Sequence, residues 1–79
     1  MMPILRSCYQ AGDAIGRPGY CLQFEYNLEA INAIKRIPVI DREWRPSTKE
    51  WWVAGIRDNE LTRIFSNFEA FTKYQASIF

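Results

Sequence analysis

The chain contains no histidine. That removes the commonest general base and the commonest metal ligand. No Ser–His or Cys–His nucleophile pair can be assembled within it. Its two cysteines, Cys8 and Cys21, belong to no CxxC pair. A structural zinc needs four ligands, which two lone cysteines without histidine do not supply. No GxxxxGKS or GxxxxGKT phosphate loop is present, and the glycines of residues 11–19 (AGDAIGRPG) do not follow GxGxxG. The carboxylates are scattered, with no pair placed as acid and base. No apolar run approaches the roughly 20 residues that span a bilayer. Residues 1–7 (MMPILRS) are too short in their apolar part for a secretory signal. These absences lead us to expect a cytoplasmic, non-enzymatic protein with reduced thiols, no cofactor, no metal and no membrane partner. A single Cys8–Cys21 disulfide is the alternative.

What is present is one domain, residues 1–79. Of these, 48% are hydrophobic and 24% charged, as in ordinary globular chains. Five Phe, four Tyr and three Trp make it rich in rings, and each buried ring removes about 150–250 Å² from water. Net charge is only +1, which excludes a polycation or an acidic tail. The charge is uneven, however. Residues 35–49 carry five basic and two acidic side chains, and the rest of the chain five basic and seven acidic.

Periodicity predicts strands over residues 4–10 and 20–26, separated by a Gly/Pro loop. In the second strand Tyr20, Leu22, Phe24 and Tyr26 share one face. A hairpin centred on the loop would set Cys8 opposite Cys21. Residues 27–36 read as a helix, with Asn27 as N-cap. Tyr26 and Ile31 are spaced as a hydrophobic staple, and Pro38 ends the helix. Residues 41–45 and 51–56 are strands around a turn at 46–50. Asp58 caps a second helix over 59–68, with a break near Asn67. The tail, 69–79, reads as either strand or helix. The expected fold class is α+β: a small, mainly antiparallel sheet with two helices packed on one face, a ββαββα-like order. Ile31, Ile34, Trp51, Val53, Leu61 and Phe65 should share its core.

Residues 24–53 (FEYNLEAINAIKRIPVIDREWRPSTKEWWV) resemble the HARP domain, the small module that precedes the motor of annealing helicases in the Swi/Snf-type ATPase superfamily. Related segments stand at the front of some bacterial and phage helicase-like proteins. The resemblance is carried by the aromatic strand (Phe24, Tyr26), the helix running into Lys35, Ile37 and Pro38, the hairpin Trp44, and then Lys49, Trp51 and Val53. The link between Pro38 and Trp44 is longer here than in the family, and this chain carries no motor. What the resemblance implies is a βαββ unit that binds forked or single-stranded DNA and assists remodelling without doing chemistry.

On that reading the nucleic-acid-binding residues are Lys35, Arg36, Arg42, Trp44, Arg45, Lys49 and Trp52. The cations would neutralise phosphates, and an exposed ring would stack on unpaired bases. By the family pattern Trp51 is core. Strand alternation then sends Trp52 to the other face, where it is either a stacking platform or covered by the tail through Phe71 or Tyr74. The competing reading of the charges is a soluble hairpin and a helix dipole complemented by Lys35 and Arg36. A helicase is the expected partner. The alternative function is a protein-interaction or homo-oligomerisation module that docks through the aromatic C-terminal tail (residues 76–79, ASIF) or a sheet edge.

Overall fold

A computed structural model describes residues 3–77 and their side chains as far as residue 72. The fold is α+β, with one four-stranded antiparallel sheet and helices on one side of it.

Strands β1 (Leu5–Gly12) and β2 (Pro18–Phe24) form a hairpin. Asp13 organises the five-residue loop between them. Its Oδ1 accepts from the backbone N–H of Ile15 (3.1 Å) and of Arg17 (2.7 Å). Its own N–H donates to the Arg17 carbonyl at 3.0 Å. Gly16 takes the left-handed backbone (φ 85°) that this turn requires. The loop sets Gly12 opposite Pro18, so Cys8 pairs with Leu22 and Cys21 with Tyr9. This register is one residue away from the loop-centred hairpin. A one-residue slip turns a side chain to the other face, so the two cysteines are buried on opposite sides of the sheet and no disulfide joins them.

Helix α1 (Leu28–Lys35) starts where the sequence indicates. The Asn27 side chain accepts from the Ala30 N–H at 3.0 Å, and Ala30 and Ile34 are buried. Such a cap is worth about 1 kcal/mol. After Pro38 the chain makes a 3-10 turn, Val39–Asp41. Strands β3 (Arg42–Arg45) and β4 (Glu50–Ala54) follow, joined by residues 46–49, in which Lys49 adopts φ 56°. A second 3-10 turn, Gly55–Arg57, leads into α2 (Asp58–Ile64), and α3 (Phe68–Ser77) closes the described chain. Asp58 lies in the first turn of α2 rather than at its cap, where Arg57 stands without a capping side chain. The chain breaks around Asn67 as expected, and the tail beyond is helical as far as Ser77, residues 78–79 lying outside the described residues.

The strand order is β1-β2-β4-β3. Helices cover the face that carries Cys8, Leu22 and Val53, which pack with Leu5, Ala30, Ile34, Ile37, Leu61, Phe65 and Phe68. Tyr20 meets Phe68 edge-on at 5.1 Å, and Phe24 meets Phe65 at 5.0 Å. Of the six expected core residues, Ile34, Val53, Leu61 and Phe65 are fully buried, Trp51 is half-buried against that core, and Ile31 is half-buried but not part of it. Tyr26, expected to staple the helix to the strand, is 82% exposed.

Candidate nucleic-acid interface

Strand alternation divides the tryptophans. Trp44 pairs with Trp51 and Glu43 with Trp52 across β3 and β4, so Trp44 and Trp51 share the helix side and Trp52 faces away.

On the helix side an aromatic groove lies between α1 and the β3–β4 hairpin. Leu22, Phe24, Tyr26, Ile31, Trp44, Lys49 and Trp51 line it. Trp44 is 46% exposed, and its ring lies 5.2 Å from that of Trp51 at an angle of 50°. Aromatic contacts at this distance are attractive, so the Trp51 ring props up the exposed Trp44 ring. Lys49 projects from the hairpin turn, and no hydrogen bond or ion pair involves it among the described residues. Lys35 is exposed one helical turn beyond Ile31, on the same stripe of α1.

The opposite face carries no helix, yet it is not open. Trp52 is 1% exposed and packs with Cys21, Ala54 and Ala11. Its indole N–H donates to the Ala11 carbonyl at 2.9 Å, and the Arg17 guanidinium lies 5.4 Å from its ring centre. The ring is no platform for bases in this conformation: Arg17 and the first hairpin lie against it, and Phe71 does not cover it. The described side chains of the tail include Phe71, which packs on the helix-side core. Tyr74 and residues 76–79 lie outside the described side chains.

The remaining cations of the expected site are dispersed. Arg45 turns to the Trp52 face, where it pairs with Glu43 (3.2 Å) and donates to the Gly12 carbonyl (3.0 Å) and to Cys21 Sγ (3.4 Å). Arg42 donates through Nε to the Ile37 carbonyl at 2.8 Å and ties the end of α1 to β3. Arg36 is exposed beside Arg63 on another depression, between α1 and α2. Of the seven residues, only Trp44 and Lys49 line the groove, with Lys35 near it.

Sequence reasoning did not place Tyr26, Phe24 and Ile31 in the site. The signal was available, because Tyr26 continues the apolar face of β2 past the strand's end, where nothing obliges it to be buried. Two further arginines went unnoticed. Arg17 and Arg57 both pair with the buried carboxylate of Asp41, at 3.1 and 2.8 Å. The hydrogen bond from Arg57, and then that from Arg17, hold the Asp41 carboxyl below its ordinary range although burial acts the other way. Burial, with Cys21 nearby, pushes the Cys8 thiol up to about 11. The hydrogen bond from Tyr9 to Glu50 (2.8 Å), then Cys21 and burial, raise the Tyr9 phenol.

No family model matches the chain, and no curated protein or solved structure is similar to it. No helix among the described residues is long and apolar enough to cross a membrane, and no group of three metal-ligating side chains occurs among them.

Proposed function

We propose that this chain is a non-catalytic nucleic-acid-binding module of HARP-like character, working beside a helicase or recombination protein. The observation that carries the reading is the groove: a tryptophan left half in water, propped by a second tryptophan, with a tyrosine and a lysine that pairs with none of the described residues on the same margin. Small domains gain by burying such rings, and a partner with planar faces and negative charge suits what is left exposed. The site needs no acid, base or metal to do this. The test is retention of labelled forked DNA, followed by anisotropy at low and high salt. Binding at low salt that weakens as salt rises supports the reading. Replacing Lys35 and Lys49 by Ala should flatten that dependence.

A second reading, a protein-interaction or self-association module, draws on the other exposed apolar side chains. Ile15, Val39 and Ile40 are 82%, 75% and 70% exposed. Strand β1 also presents an eight-residue edge, whereas β3 presents only four residues, three of them charged. Failure to retain forked DNA at low salt would favour this reading, and light scattering across a concentration series would then test for a second copy.

A further inference from the structure

We infer that the groove between the N-terminal end of α1 and the β3–β4 turn takes an unpaired nucleotide of a single strand, its base on Trp44 and Tyr26 and a flanking phosphate on Lys49. This inference rests on the nucleic-acid reading above and narrows it to one ligand class.

Three observations lead there. The first is the chemistry of the lining. Leu22, Phe24 and Ile31 form an apolar floor, and Trp44 and Tyr26 stand exposed beside it. A duplex shows a protein its phosphates and base edges, whereas the faces of its bases are stacked inside. A concave aromatic surface finds faces to stack on only where bases are unpaired.

The second observation is the small number of uncommitted cations. Arg42 is spent on the Ile37 carbonyl, and Arg45 on Glu43 and Gly12 across the sheet. Lys49, with Lys35 nearby, is what remains at the groove. One or two ammonium groups match one or two phosphates of a single strand, not the broad tracking of a duplex backbone.

The third is the backbone of Lys49. Its φ of 56° is left-handed, a conformation that disfavours any residue with a Cβ and that glycine adopts without penalty. The turn would therefore be served by glycine. A lysine there lines the groove at a conformational cost, and backbone strain of this kind clusters at binding sites.

The experiment compares three ligands by fluorescence anisotropy at low salt: a short oligothymidine, a strand of equal length made of abasic sites, and a blunt duplex. We expect the oligothymidine to bind. The abasic strand keeps the phosphates but lacks base faces, and should bind about fivefold to 150-fold more weakly. The duplex should bind no better than the abasic strand. The logarithm of the oligothymidine affinity should fall against the logarithm of salt with a slope of about 0.7 to 1.4, that of one or two phosphates. Trp44→Ala should erase the preference for oligothymidine over the abasic strand. Tyr26→Ala, at a ring already in water, should weaken that preference without affecting folding. Lys49→Gly should keep or raise Tm while removing about one phosphate's share of the slope. If the duplex binds as well as oligothymidine, or if Trp44→Ala and Tyr26→Ala both leave the base preference intact, the inference is overturned and the broader nucleic-acid reading stands. If none of the three ligands binds while forked DNA is retained, the inference alone is overturned; if forked DNA is not retained either, both are.

Discussion

Gly19 and Trp52 fit each other on the sheet face away from the helices. The indole extends from β4 over β2 to reach the Ala11 carbonyl on β1, and Gly19 is the residue it passes over. A methyl group at Gly19 would lie 2.6 Å from the six-membered ring of Trp52 and 2.5 Å from the Val53 carbonyl oxygen. The missing side chain is what lets the largest residue of this face lie down across three strands.

Gly19→Ala should therefore destabilise the fold although it adds only one carbon. The backbone oxygen cannot give way, so either the strand shifts or the indole loses its hydrogen bond. Overpacking of this kind costs about 1–3 kcal/mol. Urea denaturation checks it. A variant as stable as the parent would show that the ring does not lie over Gly19.

The three tryptophans should separate by quenching. Acrylamide should reach Trp44 and leave Trp52 protected in the native protein. Trp52→Ala should cost about 3–5 kcal/mol of stability, with the nucleic-acid affinity of the still-folded fraction unchanged, because Trp52 lies on the face away from the groove. A loss of affinity without a loss of stability would instead bring Trp52 into the interface.

Much of this architecture was legible because it is local. The Asn27 cap, the stop at Pro38, the break near Asn67 and the opposite facing of Trp51 and Trp52 all follow from spacing and side-chain chemistry over a few residues. The hairpin register is also local, but it is set by the hydrogen bonds that Ile15 and Arg17 make to Asp13, a geometry that the Gly/Pro signal alone does not specify, and it puts Cys8 and Cys21 on opposite faces. The other parts that were not legible depend on how the elements pack. The basic cluster of residues 35–49 is contiguous in sequence, but strand alternation sends Arg42 and Arg45 to different faces, and each finds a backbone carbonyl. The burial of Trp52 on the side of β4 away from the helices depends on Arg17 and Ala11, more than 30 positions away. The same limit hid the groove, since its walls come from β2, α1 and the second hairpin.

Acid should unfold the protein partly through Asp41. Its folded pKa lies below its ordinary value because Arg57 and Arg17 hydrogen-bond the ionised form. A carboxyl depressed in the folded state contributes stability that is fully present above its unfolded pKa, about 4. That contribution is lost as pH falls through the lower folded value. Asp13, held down by Arg17, acts in the same direction. Asp41→Asn should lower Tm at neutral pH and make the fall in Tm between about pH 5 and 2 shallower, without abolishing it. Tm measured against pH for both proteins checks this, and parallel curves would remove Asp41 from the acid response.

Asn67 closes the beginning of β1 from the helical side. The Leu5 N–H donates to its Oδ1 at 2.9 Å, and its amide nitrogen donates to the Leu5 carbonyl at 3.0 Å. The side chain thus answers both backbone groups of an edge residue that is itself 3% exposed, beside the bulge between Leu5 and Ser7. Asn67→Ala leaves both groups without that partner and should cost about 1–3 kcal/mol. Asn67→Asp separates the two bonds. At neutral pH the carboxylate still accepts from the N–H, but it has no proton to give and turns a negative charge toward the carbonyl. Protonation restores a donor, so the folded state should raise the pKa of the introduced carboxyl. The deficit of Asn67→Asp against the parent should then narrow as pH falls from neutral toward about 4, and change no further below it. A deficit that does not change with pH would mean that the Leu5 carbonyl does not depend on the amide of Asn67.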